Sequence, residues 1–283
     1  MQKKIDKEFI DLHVHTNFSD SSFSPEEVVA YALKKKIRAI AITDHDCVDG
    51  IAPALEAAAS SELEIIPGIE LTAVKSGMEI HILGLLIDWD NQKFAEKLKK
   101  IRDDRVERMH QMIEKLKSHG IEINPKDIFP LSQKNGAIGR LHLARALVKD
   151  GVVHSVQAAF NRFIGEHKPC YVKKSHVEPQ DAFKMIQKLN GIAILAHPGL
   201  MMADFFIPDF VEQGLMGIEI YHTKHSDKIT HYYKNIAKKY NLLISGGSDC
   251  HGMGKGEPLI GKVKVPYEVL EKLKQAKLLK YGK

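Results

Sequence analysis

Seven short apolar runs recur along the chain, most of them ending in polar residues: FIDLHV, IRAIAIT, EIIPGIELTAV, MEIHILGLLID, GIAILAHPG, GIEIYHT and LLISGGSDCHG. Their length and their wealth of Ile, Val and Leu predict buried strands. Helical patterns stand between several of them. Ser24, Pro25 and Glu27 predict a helix start with proline in the first turn and a capping box, leading into EEVVAYALKKK. DGIAPALEAAASS reads as a short Ala-rich helix. Strands alternating with helices make an α/β protein with a largely parallel sheet. Between the third and fourth runs, KSG is a tight-turn sequence and predicts a hairpin. Pairing Val74 with Gly77 across a two-residue loop sets Glu70 directly opposite His81, and a one-step change of loop register leaves them diagonal neighbours.

The alternation is interrupted after the fourth run. Residues 91 to about 119 form a long amphipathic pattern with Phe94, Leu98, Ile101, Met109, Ile113 and Leu116 on its apolar side, ended by Gly120. GRLHLARALVKDG and SVQAAFNRFIG continue the helical character. Residues 96–166 are therefore expected to be an all-helical insertion, with 1–95 and 167–283 forming one discontinuous α/β domain. Between Lys97 and Lys117 stand eight Lys or Arg against four acids. Such a balance most often marks a solvated face; the sharper reading is a lid over a site for anions. Arg140, His142 and Arg145 are its candidate phosphate contacts, although their helical spacing does not place all three on one side. Arg140 is the strongest of them, because it opens a helix beside Gly139, where a guanidinium fork and backbone amides meet.

A chain of 283 residues with 44% hydrophobic content buries a full core, which argues against disorder. A formal charge of +5 is compatible with anionic substrates and too weak to establish nucleic-acid binding. No stretch approaches the ~20 apolar residues of a membrane span, and MQKKIDKEF is followed by no apolar segment of a secretory leader, so a cytoplasmic location without membrane attachment is expected. Cys47, Cys170 and Cys250 lack zinc-type spacing and read as reduced thiols.

The chemistry lies at the strand ends. Alternation along FIDLHVH puts Asp11, His13 and His15 on one side of a strand, so two imidazoles face one point. Any single polar residue at a strand end is better read as a surface loop. For nine of them, His13, His15, Asp20, His45, Glu70, His81, His197, Asp249 and His251, that reading becomes the weaker account. A structural zinc needs four ligands, commonly with cysteine, whereas nine His and acid groups imply several ions in an open site. The pattern fits a closed or nearly closed barrel with its site at the carboxyl ends of the strands.

DLHVHTNFSD, AITDHD, IPGIEL with EIHILG, ILAHPG and SDCHG, in this order, resemble the motifs of the PHP family, the polymerase and histidinol phosphatase superfamily. GRLHLARAL, GEHKPCYVKKSHVEPQDAF and IEIYH resemble its branch of TrpH-like nucleotide phosphatases and the 5′ to 3′ exoribonuclease RNase AM. The resemblance implies a distorted (β/α)7 TIM-like barrel holding three divalent ions, Mn, Fe or Zn. By motif, the first ion takes His13, His15, Glu70 and Asp249; the second shares Glu70 and adds His81 and His197; the third takes Asp20, His45 and His251. An aspartate at position 20 tips that third ion towards manganese or iron over zinc. Asp11 and Asp44 are expected to orient imidazoles or to terminate strand hydrogen bonding.

The implied reaction is hydrolysis of a phosphate ester by a metal-bridging hydroxide, on a phosphorylated small molecule, a nucleotide above all, or on the 5′ end of short RNA. His222 is a candidate acid for the leaving oxygen, with a metal-bound water as the alternative. Lys173 is expected to extend the phosphate wall more than its neighbour Lys174. The residues imply no protein partner. The alternatives are a histidinol-phosphate phosphatase, a metal amidohydrolase, disfavoured because no strand end offers a bridging lysine, and a non-catalytic PHP scaffold, disfavoured because all nine ligand positions are filled.

Overall fold

A computed structural model of the chain describes residues 8–128, 137–173, 177–201, 204–255 and 257–282, so Lys174 lies outside the described residues. Eight strands form one sheet: β1 (Phe9–Val14), β2 (Ala39–Ile42), β3 (Glu64–Lys75), β4 (Met78–Leu85), β5 (Ile192–Leu195), β6 (Gly217–His222), β7 (Leu243–Gly247) and β8 (Val265–Pro266). Their order is β7-β6-β5-β4-β3-β2-β1-β8. The helices are α1 (Pro25–Lys34), α2 (Ile51–Ala58), α3 (Gln92–Ser118), α4 (Arg140–Lys149), α5 (Val156–Ala159), α6 (Pro179–Lys188), α7 (Pro198–Met201), α8 (Ile207–Gln213), α9 (Asp227–Lys239) and α10 (Glu268–Tyr281).

β1 to β3 run parallel, as do β5 to β7, while β4 is antiparallel to both neighbours. The sheet curls until its ends meet. Val14 bridges Cys250, the Asp249 amide donates to the His13 carbonyl at 2.9 Å, and the His15 amide donates to the Cys250 carbonyl at 3.1 Å. At the other end of β1, β8 pairs antiparallel with Phe9 and Ile10. The result is a nearly closed, distorted TIM-like barrel. β8 is the strand beyond the seven expected ones, and two residues are too short to leave a periodic signal.

Contact across the seam is close enough to demand glycine. A Cβ on Gly247 would stand 2.4 Å from both the Cβ and the amide nitrogen of His13. The β3–β4 hairpin differs from direct opposition of Glu70 and His81. Ser76 and Gly77 both have positive φ, so the turn centres on them and Lys75 pairs with Met78. Glu70 then faces Leu83, His81 faces Thr72, and Glu70 and His81 are diagonal neighbours on one face of the sheet.

Helix α1 opens as its sequence requires: Ser24 Oγ accepts the Glu27 amide, and the Glu27 carboxylate accepts the Ser24 amide. Helix α3 spans 27 residues, about 40 Å at 1.5 Å per residue. Its first half buries Phe94 and Leu98 in the barrel core. Its second half buries Met109, Met112, Ile113 and Leu116 in a separate core with Leu143, Leu147, Ile164 and Cys170. One helix is thus the spine of both. Two of its buried residues are cationic, Arg105 and Arg108.

Candidate metal centre

Each expected ligand sits at the same end of the barrel. His13 is the penultimate residue of β1 and His15 follows the strand; Asp20 lies in the next loop, His45 beyond β2, Glu70 in β3, His197 beyond β5, and Asp249 and His251 beyond β7. His81 reaches them from within β4 because that strand runs the opposite way, which brings its amino-terminal half to the carboxyl end of β3.

Glu70 is the hub. Its Oε2 lies 3.3 Å from His13 Nε2 and 3.2 Å from both His15 Nε2 and His45 Nδ1. Its Oε1 lies 2.8 Å from His81 Nδ1 and 3.2 Å from His197 Nε2. Asp249 Oδ1 stands 3.5 Å from His13 Nε2 and 3.2 Å from His15 Nε2, while Asp20 Oδ1 stands 3.2 Å from His251 Nε2. Three sets of potential ligand atoms lie within 4.8 Å of one another: His13, His15, Glu70 and Asp249; His15, Asp20, His45 and His251; and His45, Glu70 and His81. His45 therefore stands between Glu70 and Asp20 instead of belonging to one group alone.

Hydrogen bonds on the far side of the rings decide which nitrogens face inward. His13 Nδ1 donates to the Glu219 carboxylate at 3.1 Å, leaving the Nε2 lone pair on the centre. His251 Nδ1 donates to the Asp249 carbonyl at 2.8 Å. His15 Nδ1 lies 3.5 Å from Ser19 Oγ, which donates to Asp44; Asp44 also accepts the Thr16 amide at 2.7 Å. Asp44 thus acts on an imidazole through a serine. Asp11 instead accepts the Ser248 amide at 2.7 Å, which ties β1 to the segment after β7. His13 Nε2, His15 Nε2, His45 Nδ1, Asp20 Oδ1 and Glu70 Oε2 are buried without a hydrogen-bond partner. Unpaired lone pairs sunk together in an interior are costly unless something electropositive meets them. Imidazole nitrogens mixed with carboxylate oxygens are the donor set that zinc, manganese and iron accept.

Charge balance points the same way. Burial opposes ionisation of Glu70, but His45, His81 and His13 hold it well below the usual carboxylate range. Asp249 and Asp20 are held low against the same penalty, the first chiefly by His251 and the second by His251 and His45. Burial depresses His45 to about 3, so that ring is neutral. His81, despite its burial, is raised to about 10 by Glu70 and Glu79. Burial lifts Asp11 to about 6.

Above the ligands opens a cavity of about 870 Å³. Arg105, Arg108 and Arg140 form part of its wall, with Phe160 beside them. Arg140 is paired with Glu79, and its guanidinium lies 5.7 Å from the Phe160 ring centre and 5.5 Å from that of Tyr171. His142 is buried at the start of α4, its Nδ1 accepting the Gly139 amide at 3.1 Å and its Nε2 left unpaired. Lys173 is exposed and does not line the cavity. His222 differs from the inward-facing ligands: its Nδ1 accepts the Lys224 amide at 3.1 Å, so the neutral ring carries its proton on Nε2, 3.8 Å from Asp249 Oδ2.

Sequence reasoning overlooked Glu219. It is fully buried on β6, holds His13 Nδ1, and accepts the His197 amide at 2.7 Å, fixing a residue with φ of +26°. The signal was present, since GIEIYH sets an acid amid the apolar residues of a buried strand. Arg105 was likewise counted among the charges of a solvated helix and is buried against Asp46.

The PHP domain family matches residues 11–126. A 3′,5′-nucleoside bisphosphate phosphatase of Chromobacterium violaceum is 34% identical over 257 residues, 89% of this chain and 90% of the relative. A 5′-3′ exoribonuclease of Escherichia coli is 33% identical over 248 residues, 85% of this chain and 84% of the relative. Among solved structures, a Bifidobacterium adolescentis protein assigned as a metal-dependent phosphoesterase superposes with a TM-score of 0.86 at 27% identity, covering 94% of this chain and 95% of the other. A barrel with a His, Asp and Glu centre at its carboxyl face is the class that fold and site define. The chain belongs to the PHP family.

Proposed function

We propose that the protein is a metal-dependent phosphoesterase acting on phosphate esters of nucleotides. The observation that carries this is the meeting of unpaired His13, His15, His45 and Glu70 atoms beneath a cavity walled by three arginines. Lone pairs that suit cations lie below, and guanidiniums that suit phosphate lie above. Relatives named as a nucleoside bisphosphate phosphatase and a 5′-3′ exoribonuclease support the same reading.

His13, His15, Glu70 and Asp249 would hold one ion; Glu70 with His81 and His197 a second; Asp20, His45 and His251 a third, with manganese or iron favoured there by the aspartate. Bound divalent ions lower the pKa of water towards ~7 and neutralise phosphoryl oxygens. The residues of the chain do the rest. Arg140 and Arg108 hold the phosphate, and Phe160 offers a ring to the base or ribose. His142 adds an unpaired donor at the head of α4. His222 presents its Nε2 proton towards the centre, the geometry of an acid for the departing oxygen. Residues 96–166 serve as the lid that carries Arg105, Arg108 and Arg140.

The test is a substrate panel with manganese: nucleoside 3′,5′-bisphosphates, nucleoside monophosphates, histidinol phosphate and 5′-phosphorylated oligoribonucleotides. Phosphate or nucleotide release that Glu70→Gln abolishes is the expected result. No release with any divalent cation, or full activity in Glu70→Gln, overturns the reading. Preference for histidinol phosphate would move the protein to another substrate.

A further inference from the structure

Beside the metal centre lies a second cavity, of about 530 Å³, of whose lining the reaction described above uses His222 alone. One wall carries Lys224, Lys234 and Lys262, and Tyr221, Leu259 and Val263 supply an aromatic and aliphatic surface. The volume is within the range of small-ligand pockets. The two cavities are neighbours: Lys224 lines both, and His222, which lines the second, holds its Nε2 3.8 Å from Asp249, which lines the first.

The charge of this wall is largely uncompensated. Among the described residues, Lys262 pairs with Glu257 at 3.5 Å, both of them exposed, and Asp227 is the acid that lines the cavity. Lys234 lies over the Tyr221 ring, 4.9 Å from its centre, and among the described residues neither Lys234 nor Lys224 forms an ion pair. Ammonium groups beside an aromatic and aliphatic wall fit one chemical unit: a phosphate joined through a sugar to a flat base.

We propose that this cavity binds the nucleotide following the scissile phosphate in a short single strand. The inference rests on the phosphoesterase reading of the metal centre and extends it. A first nucleotide fills the large cavity, its 3′-linked phosphate lies over the ligands, and the next nucleotide crosses Lys224 into the lysine-lined cavity. A nucleoside bisphosphate ends before it, and only an oligonucleotide reaches it. Hydrolysis breaks the bond between phosphorus and the 3′ oxygen of the first nucleotide, the same bond that holds the 3′ phosphate of a nucleoside bisphosphate. Water supplies the new phosphorus–oxygen bond, the 3′ oxygen takes a proton as the first nucleotide departs, and the shortened strand keeps the phosphate at its 5′ end.

Lys234 and Lys262 lie outside the metal centre, so a Lys234→Glu/Lys262→Glu variant tests the idea with manganese and two substrates, a 5′-phosphorylated trinucleotide and a nucleoside 3′,5′-bisphosphate. The variant should keep kcat/KM on the bisphosphate within about twofold and lose about tenfold on the trinucleotide, mainly through KM, with a shallower dependence on salt. Lys234→Arg/Lys262→Arg should retain trinucleotide turnover. Fluorescence anisotropy of a labelled trinucleotide on EDTA-treated protein should show the same weakening without chemistry. Equal losses on both substrates, or an unchanged trinucleotide, overturn the proposal. Wild-type hydrolysis of bisphosphate without trinucleotide overturns it as well and leaves the metal-centre reading standing, whereas hydrolysis of neither substrate sinks that reading itself.

Discussion

Arg105 closes on Asp46: the guanidinium Nε donates to the carboxylate at 2.8 Å, and NH2 reaches the same oxygen. The pair joins three parts of the molecule. Arg105 also donates to the Ile138 carbonyl and to Thr72 Oγ1, both at 3.2 Å. Asp46 accepts the Thr72 amide at 3.2 Å, follows the ligand His45 directly, and holds a φ of +47°. The long helix therefore braces the loop that presents His45. Removing the guanidinium takes away the buried counter-charge of Asp46, so Arg105→Met should cost about 3–5 kcal/mol. Adding Asp46→Asn should recover part of it. Urea unfolding of the two single variants and the double variant checks this, and strictly additive losses would show that the two residues are not coupled.

Glu219→Gln tests the support behind the ligands. A glutamine keeps the shape but gives up the negative charge behind His13. Loss of such a partner typically weakens metal binding about 10–100-fold. Calorimetric titration with manganese should show that drop while circular dichroism stays unchanged. Wild-type affinity would remove Glu219 from the centre's support.

Metal loading should stabilise the fold. At a free ion concentration 100 times its Kd, one site contributes about 2.7 kcal/mol, which for a chain of this size raises Tm by roughly 4–5 °C. The gain should grow with pH. His15 and His81 are raised to about 9 and about 10 in the metal-free protein, so their protons stabilise it fully below the ordinary imidazole value of 6.5. That contribution fades as pH climbs through the raised values, while competition between protons and metal for the ligands relaxes. Melting curves with and without EDTA at pH 6.5 and 8.5 should diverge more at the higher pH, and equal shifts would contradict this assignment.

Gly247→Ala probes the seam. The added methyl meets backbone as well as side chain of His13, neither of which can swing aside, so a loss of about 1–3 kcal/mol is expected. Manganese affinity should fall with it, because the strand that must yield carries His13. A variant that loses neither would mean that β1 and β7 can part there without consequence.

Much of the barrel was readable because its strands are continuous apolar runs, and the barrel's ligands because polar residues interrupt those runs at one end. What escaped notice depended on distance in sequence. Glu219 meets His13 across 206 positions and Arg105 meets Asp46 across 59, and neither span leaves a local mark. The hairpin register turned on one residue, Ser76, adopting positive φ, a conformation more usual for Gly or Asn. Lys173 was favoured by the resemblance, and a motif match says nothing of which way an irregular segment turns its side chains.

The joint between the first and seventh strands gives the molecule an order in time. His13 and His15 leave the ribosome more than two hundred residues ahead of their companions Asp249 and His251. Until then the nascent chain offers only an incomplete claw, able to catch an ion but not to cage it. Cation capture and the meeting of the two strands should thus be one event that waits for the seventh strand, and a chain stalled before Leu243 would stay open.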